Sequence, residues 1–311
     1  MGSGQIRLTT FLLRMSATLP TKDECHICHH RAIAASSRIR LPLRSRVWKG
    51  QAGEFAGAGT GSSLDFQDHR LYVPGDDPRH INWQAYARTG SYSMKLYREE
   101  VRPVVDLILD VSASMFFDPQ KAERVCDLFY LCVESARRSG ASLHVHLICG
   151  DVTRMVPYEA IITHQWRDII AQCAPSDPSM PPQVHRISLR ANAIRLLISD
   201  LLFAGEPEPI LRPLQQRQGS GILLAPFLPT EMDPDWSGNY EMIDAEKQSH
   251  HPHRIEPTTL KRYKEAYVHH FALWKQASQR QQVIMARVPS VVDLQNALHS
   301  EAIVLGALET Y

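Results

Sequence analysis

An acidic residue and two serines alternate at the end of an apolar run, and their oxygen atoms could bind a metal ion. The mostly apolar run Val104–Leu109 is followed by Asp110, Ser112 and Ser114. A short run rich in Val, Ile and Leu is typical of a strand that is covered on both faces. Carboxylate and hydroxyl oxygens suit Mg²⁺ or Mn²⁺ better than zinc or copper. Taken alone, the pattern fits equally well a strand-to-helix turn in which these side chains cap backbone amides.

A second acidic residue favours the metal interpretation. The segment Ala193–Ser199 is another mostly apolar strand, and it leads directly into Asp200. Parallel strands of an open α/β sheet present their carboxyl ends at one crevice, where ligands bind. Two carboxylates brought together there repel each other unless a cation or a proton lies between them. We therefore expect both Asp110 and Asp200 to be associated with a metal ion.

Two patterns in the chain resemble known families. The order Asp-x-Ser-x-Ser, then a distant strand ending in Ser-Asp, resembles the metal-ion-dependent adhesion site of von Willebrand factor A-like domains. The segments Asp65–Arg70, Tyr72–Trp83 and Ala87–Gly90 look like the signature of the bacterial domain of unknown function 58 family. This resemblance covers about residues 40–205. The signature residues to which we assign no role are Asp76, Asp77, Arg79, Trp83 and Arg88.

The resemblance implies a fold, a metal site and a partner. It implies that Asp110, Ser112, Ser114 and Asp200 hold magnesium or manganese with one open coordination position, which an acidic side chain of a partner completes. The implied partner is a MoxR-class AAA+ ATPase. The adhesion site usually has a further Thr ligand, and the corresponding loop Cys173–Pro182 has no Thr. Ser176 and Ser179 are the possible substitutes in that loop.

The order of predicted elements indicates an α/β fold with a doubly wound, mostly parallel sheet, similar to a von Willebrand A-like domain. Right-handed crossovers are expected between its parallel strands. We predict a flexible lead at residues 1–22, then an N-terminal helix and the family-signature β segment at 23–100. The α/β domain itself is predicted at 101–311. The signature turn Pro74–Pro78 contains Pro, Gly and Asp, which favour a fixed turn.

Composition excludes some classes of function. The chain has 311 residues, of which 44% are hydrophobic and 22% charged, and its formal net charge is +1. A nucleic-acid-binding domain is usually strongly basic, so we expect no nucleic acid partner. No apolar run approaches the roughly 20 residues of a membrane span, and no signal-peptide core is evident. We therefore predict a cytoplasmic protein.

Two clusters of Cys and His residues suggest metal binding only weakly. Cys25–His30 contains two Cys and three His residues, yet no second pair of ligands follows at a regular spacing. We interpret this segment as part of a helix and keep a zinc site as the alternative. We interpret His250–His253 as a polar loop, with adventitious metal affinity as the alternative.

Three functions remain open at this point. The first is a non-catalytic, metal-dependent protein–protein interaction module, acting as an adaptor or co-chaperone of the ATPase. The second is a magnesium-dependent phosphatase or hydrolase that uses Asp110. Aspartyl-phosphate chemistry would need a second Asp at position 112, which is Ser, and no Gly-x-Ser-x-Gly motif is present. The third is a structural interaction protein whose metal site is degenerate.

Overall fold

The computed structural model describes residues 11–12, 19–43, 52–60, 66–74, 78–247 and 249–311. These residues form two compact units. The first unit contains the described residues of Met1–Pro42, Val104–Ser139 and Leu143–Tyr311. The second contains those of Leu43–Pro103 and Gly140–Ser142. The N-terminal helix therefore belongs to the same unit as the α/β sheet. Most of the predicted lead, residues 1–10 and 13–18, lies outside the described residues.

The first unit contains both a central sheet and its flanking helices. Its helices are α1 (Lys22–Ala35), α3 (Pro119–Arg138), α4 (Tyr158–Ile162), α5 (Trp166–Ile170), α6 (Glu208–Gln215), α7 (Pro229–Met232), α8 (Pro257–Arg280) and α9 (Leu294–Ser300). Its strands are β1 (Phe11–Leu12), β2 (Ile39–Arg40), β6 (Val104–Asp110), β7 (Ser142–Cys149), β8 (Val152–Val156), β9 (Ile194–Ile198), β10 (Ser220–Phe227), β11 (Gly238–Asp244), β12 (His250–Ile255), β13 (Ile284–Pro289) and β14 (Glu309–Thr310).

Six of these strands form the central sheet in the order β13-β10-β9-β6-β7-β8. Strand β9 pairs in parallel with both β6 and β10, and β10 pairs in parallel with β13. The strand β8 runs antiparallel to β7. Every residue of β9 is buried, as expected for a strand covered on both faces. The predicted α/β class with a mostly parallel sheet is confirmed.

Helix α3 lies across this sheet and is almost entirely buried. It begins after Asp118, whose carboxylate accepts hydrogen bonds from the backbone amides of Gln120 and Lys121, and Pro119 occupies its first turn. Both features favour a helix start. The helix packs against β6, β9 and β10, and α1 packs against its outer side. This central position places residues of α3 beside the strand ends.

The segment Cys25–His30, which contains two Cys and three His residues, is helical, as predicted, and lies within α1. Cys25 and Cys28 are buried, and the thiol of Cys28 donates to the backbone carbonyl of Glu123 on α3. His26 and His30 are exposed, and their Nε2 atoms lie 3.1 Å apart. The thiols and these two imidazoles therefore lie on different faces of the helix.

The predicted polar loop at His250–His253 is wrong, because these residues belong to strand β12. This strand pairs antiparallel with β11, with Tyr240 opposite His253, and forms the edge of a small sheet ordered β1-β11-β12. All of its residues except Ile255 are exposed. Polar residues and a proline are tolerated on such an edge, so composition alone suggested a loop. The hairpin β11–β12 carries a residue of the candidate site.

The second unit contains the family signature. Its strands β3 (Ala52–Thr60), β4 (Phe66–Leu71) and β5 (Ser93–Val101) form a sheet in the order β3-β5-β4. Helix α2 (Trp83–Thr89) begins at Asn82, whose side chain accepts a hydrogen bond from the amide of Ala85. The helix ends at Gly90, which has a φ of 69° and so needs the left-handed conformation that glycine adopts easily.

Candidate metal centre

The two acidic strand ends lie side by side because β6 and β9 are parallel neighbours. Leu109 is opposite Ile198 in the register of the pair. The residues that follow, Asp110 and Ser199, are joined by a hydrogen bond of 2.7 Å from the serine hydroxyl to Asp110 Oδ2. Both residues are fully buried. The carboxyl edge of the sheet therefore brings together the polar groups of both strands.

Asp110 is held by hydrogen-bond donors and has no cationic neighbour within ion-pair distance among the described residues. The backbone amide of Ser112 donates to its Oδ1 over 3.0 Å. Burial, and then the nearby carboxylate of Asp200, raises the pKa of Asp110 to about 7, although the bonds from Ser199 and Ser112 act in the opposite direction. The charged form of Asp110 is therefore costly unless a cation approaches it.

The two serines of the motif present their hydroxyls together. The Oγ atoms of Ser112 and Ser114 lie 3.2 Å apart. Adjacent oxygen ligands of an octahedral Mg²⁺ lie about 3 Å apart, since each is about 2.1 Å from the metal. The two hydroxyls line the same cavity as Asp110, with a volume of about 220 Å³. The spacing of these donors fits adjacent positions around a small divalent cation.

Asp200 already has a cationic partner, which the sequence did not suggest. Its Oδ2 lies 2.7 Å from Nζ of Lys121, and the same ammonium lies 2.8 Å from Glu231 Oε1. All three side chains are buried. Burial alone would lower the pKa of Lys121, but the two carboxylates outweigh it and raise that pKa. Asp200 is thus compensated by Lys121 and does not line the cavity that contains Asp110, and the amide of Leu202 donates to its other oxygen over 3.1 Å.

Of the two serines in the loop 173–182, only one lines the cavity that contains Asp110. Ser179 lines the cavity that contains Asp110, and its hydroxyl donates to Asp177 Oδ1 over 2.7 Å. Ser176 is instead bound to Asp151 through both its amide and its hydroxyl, each at 3.1 Å. Ser179 is therefore beside the candidate site, whereas Ser176 does not line its cavity.

A residue of the β11–β12 hairpin enters the site. Glu246 accepts hydrogen bonds from the backbone amides of Ala113 at 3.2 Å and Ser114 at 2.9 Å, and it lines the same cavity. Burial raises the pKa of Glu246, and these two amides oppose that rise. The sequence gives no direct signal for this contact, because Glu246 is more than 130 residues from the motif.

The signature residues that the structure describes lie in the second unit. Arg79 lies in a short 3₁₀ helix, whereas Trp83 and Arg88 lie on α2, and all three are exposed. The indole of Trp83 is 59% exposed and packs edge-on against Tyr86, which stacks on Tyr92 at 4.4 Å. Asp76 and Asp77 lie outside the described residues.

The donor set at the sheet edge suits a hard divalent cation. Among the described residues, no three His, Cys, Asp or Glu side chains converge in a way that could hold a metal ion. A cation at this edge would therefore need the serine hydroxyls as well as the carboxylates. Asp110, Ser112 and Ser114 supply only oxygen donors, which is the set that Mg²⁺ and Mn²⁺ prefer.

Comparison with known proteins identifies the family. The family described as "Protein of unknown function DUF58" matches residues 68–272, which is well over half of the chain. The protein belongs to the DUF58 family. The match includes all of the candidate site residues named above, as well as the signature residues on α2. No curated protein matches the sequence of this DUF58 protein.

A solved structure shows a distant likeness. It is the crystal structure of an aerotolerance-related membrane protein from Bacteroides fragilis NCTC 9343 with multiple mutations to serines. The two proteins are 13% identical, with a TM-score of 0.30, and the likeness covers 64% of the DUF58 protein and 98% of the other chain. In the described part of the DUF58 protein, no helix has the length and hydrophobicity needed to cross a membrane.

Lys121→Met tests the buried ion-pair cluster. Removal of the ammonium leaves Asp200 and Glu231 as two buried carboxylates without a counter-charge, so we expect the free energy of unfolding to fall by about 3–5 kcal/mol at pH 8. The loss should be smaller at pH 5, because the folded variant then binds protons that its unfolded state binds less readily. Urea denaturation of the full chain measures both values.

The matched control is Lys261→Met on α8, whose side chain is 78% exposed. This change should alter the free energy of unfolding by no more than about 0.5 kcal/mol. A Lys121→Met variant as stable as this control at pH 8 would show that the cluster contributes nothing.

Asp110→Asn, measured in the presence of chelator, tests how much the buried charge of Asp110 lowers the free energy of unfolding. Because the folded-state pKa of Asp110 is raised from 3.8 to about 7, the folded wild type binds more protons than the unfolded chain between these values. Its stability therefore falls as pH rises through this window and levels off above it. Asn removes that dependence, so the variant should become more stable than the wild type by up to about 4 kcal/mol at pH 8.

The measurement is the difference in the free energy of unfolding between variant and wild type at pH 5, 6, 7 and 8. A difference that does not grow with pH, or a variant that is unfolded at pH 8, would make Asp110 a structural cap instead.

Proposed function

We propose that this DUF58 protein is a non-catalytic, metal-dependent protein–protein interaction module. In this proposal Asp110, Ser112 and Ser114 hold Mg²⁺ or Mn²⁺, with Asp200 and its partner Lys121 behind them. The observation that carries the proposal is that the carboxylate of Asp110, which has no ion-pair partner among the described residues, and the two hydroxyls line a single cavity at the carboxyl edge of the sheet. Bound there, the cation would supply an open coordination position for an oxygen ligand.

The proposal extends to the type of fold and to the partner. The strand-end motif resembles that of a von Willebrand A-like adhesion site, in which the ligand is an acidic side chain of another protein. A MoxR-class AAA+ ATPase is the partner that the family resemblance suggests, with this protein as its adaptor or co-chaperone. The site needs no catalytic group for this role, and position 112 carries Ser where aspartyl-phosphate chemistry would need Asp.

Metal binding should stabilise the protein. At a cation concentration 100 times the dissociation constant, binding to the folded state alone adds about 2.7 kcal/mol to the free energy of unfolding. Thermal melts with millimolar Mg²⁺ or Mn²⁺, and with chelator, should therefore differ for the wild type and coincide for Asp110→Ala. Asp235→Ala, which removes an exposed acid outside the cavity, should keep the wild-type response. Identical wild-type melts in both conditions would refute the metal site and leave a degenerate one.

Partner binding should need the same cation. Calorimetric titration of a purified MoxR-class ATPase should show binding with Mg²⁺, no binding with chelator, and no binding to Ser112→Ala under either condition. Ser37→Ala, a change at an exposed serine of the same unit, should bind like the wild type. The formal net charge of +1 predicts only a mild dependence on salt.

Two results would contradict metal-mediated recognition. One is equal affinity of the wild type with and without chelator. The other is binding that is lost in Arg79→Ala but does not depend on metal, which would place the interface at the family signature.

A further inference from the structure

The hairpin β11–β12 is built to deliver one carboxylate to the candidate metal centre. Its turn is closed by Asp244, a buried residue whose Oδ1 accepts hydrogen bonds from the amides of Glu246 at 2.9 Å and Lys247 at 3.1 Å. Strand β1 adds to this arrangement, since Phe11 pairs with Asp244. These contacts fix the turn at Asp244, two residues before Glu246.

The carboxylate of Glu246 is bound by the motif itself. Both of its oxygens accept from successive amides of the Asp-x-Ser-x-Ser segment, those of Ala113 and Ser114. The side chain of Ser114 also contacts it. Ser114 is thus shared between Glu246 and the hydroxyl pair that Ser112 completes. Glu246 therefore lies next to the oxygens that would surround the cation.

The charged side chains that line the cavity are those of Asp110, Asp244, Glu246 and Lys247. Asp200 and Glu231 share the ammonium of Lys121. Asp110 and Glu246 form no ion pair with any described residue and are held only by amides and hydroxyls. The three carboxylates and the one ammonium in the lining give a formal net charge of −2, which a single divalent cation balances.

We propose that Glu246 is a further ligand of the metal, supplied by the hairpin in the place of the Thr that loop 173–182 lacks. This inference rests on the proposed metal site and goes beyond the adhesion-site motif, which contains no such residue. The coordination set is then two carboxylates and two hydroxyls, all hard oxygen donors. The hairpin thereby becomes part of the metal centre, although it lies far from the motif in sequence.

The experiment is a Mn²⁺ titration of the full-length chain, followed by the paramagnetic resonance signal of free Mn²⁺. Glu246→Gln keeps the size of the side chain and one acceptor oxygen but removes the charge, so we expect Mn²⁺ affinity to fall at least about tenfold. Glu241→Gln is the matched control on the same hairpin, since Glu241 is exposed and outside the cavity. It should bind like the wild type. Melting in chelator checks that each variant is folded.

The outcomes separate the two proposals. Wild-type binding that is lost in Asp110→Asn but unchanged in Glu246→Gln would overturn the role of Glu246 and leave the metal site intact. Absence of Mn²⁺ binding by the wild type would overturn both. Tighter Mn²⁺ binding by Glu246→Gln would also overturn the role of Glu246 as a ligand, because the wild-type carboxylate would then hinder the binding of the cation.

Discussion

The carboxyl edge of the sheet depends on a buried ammonium between two buried carboxylates. Lys121 connects α3 to the end of β9 through Asp200 and to α7 through Glu231. An unpaired charge in such a place costs several kcal/mol, so each member of the cluster constrains the position of the others. Replacement of such a cluster by apolar residues of similar size often leaves the free energy of unfolding unchanged. The cluster is therefore better explained by the way it positions neighbouring elements than by a gain in stability. What it positions is the strand end that faces Asp110.

Lys121 pairs with Asp200 and Glu231, so the carboxylates left at the cavity are those of Asp110, Asp244 and Glu246, with the ammonium of Lys247 in the same lining. From the sequence, Asp110 and Asp200 were expected to repel each other until a cation entered between them. In the structure, that repulsion is still felt at Asp110, whose pKa is raised partly by Asp200. The ammonium nevertheless neutralises much of Asp200 from behind. In the proposed metal centre, a cation would therefore contact Asp110, the serine hydroxyls and an acid from another element.

The sequence predicted those parts of the molecule that depend on local pattern. The two buried strands that lead into Asp110 and Asp200, and their parallel pairing, followed from the apolar runs and the order of elements. It did not predict Lys121 as a buried residue, because a lysine in the first turn of a helix is normally solvated. Nor did it predict the β11–β12 hairpin, since three exposed histidines and a proline on an edge strand have the composition of a loop. Glu246 was missed for the same reason.

In the proposed metal centre, a site assembled from distant segments would not need a Thr ligand from the loop 173–182. In the loop 173–182, the hydroxyl of Ser176 donates to Asp151 and that of Ser179 donates to Asp177, and of the two serines only Ser179 lines the cavity. A hydroxyl lost from one loop can be replaced by an oxygen from any element that reaches the same cavity. The hairpin supplies a carboxylate, which adds charge that a Thr hydroxyl would not. Since cation affinity rises with the number of charged ligands, a carboxylate in this position would strengthen the electrostatic attraction of the proposed site, and metal binding there would be coupled to the folding of the hairpin.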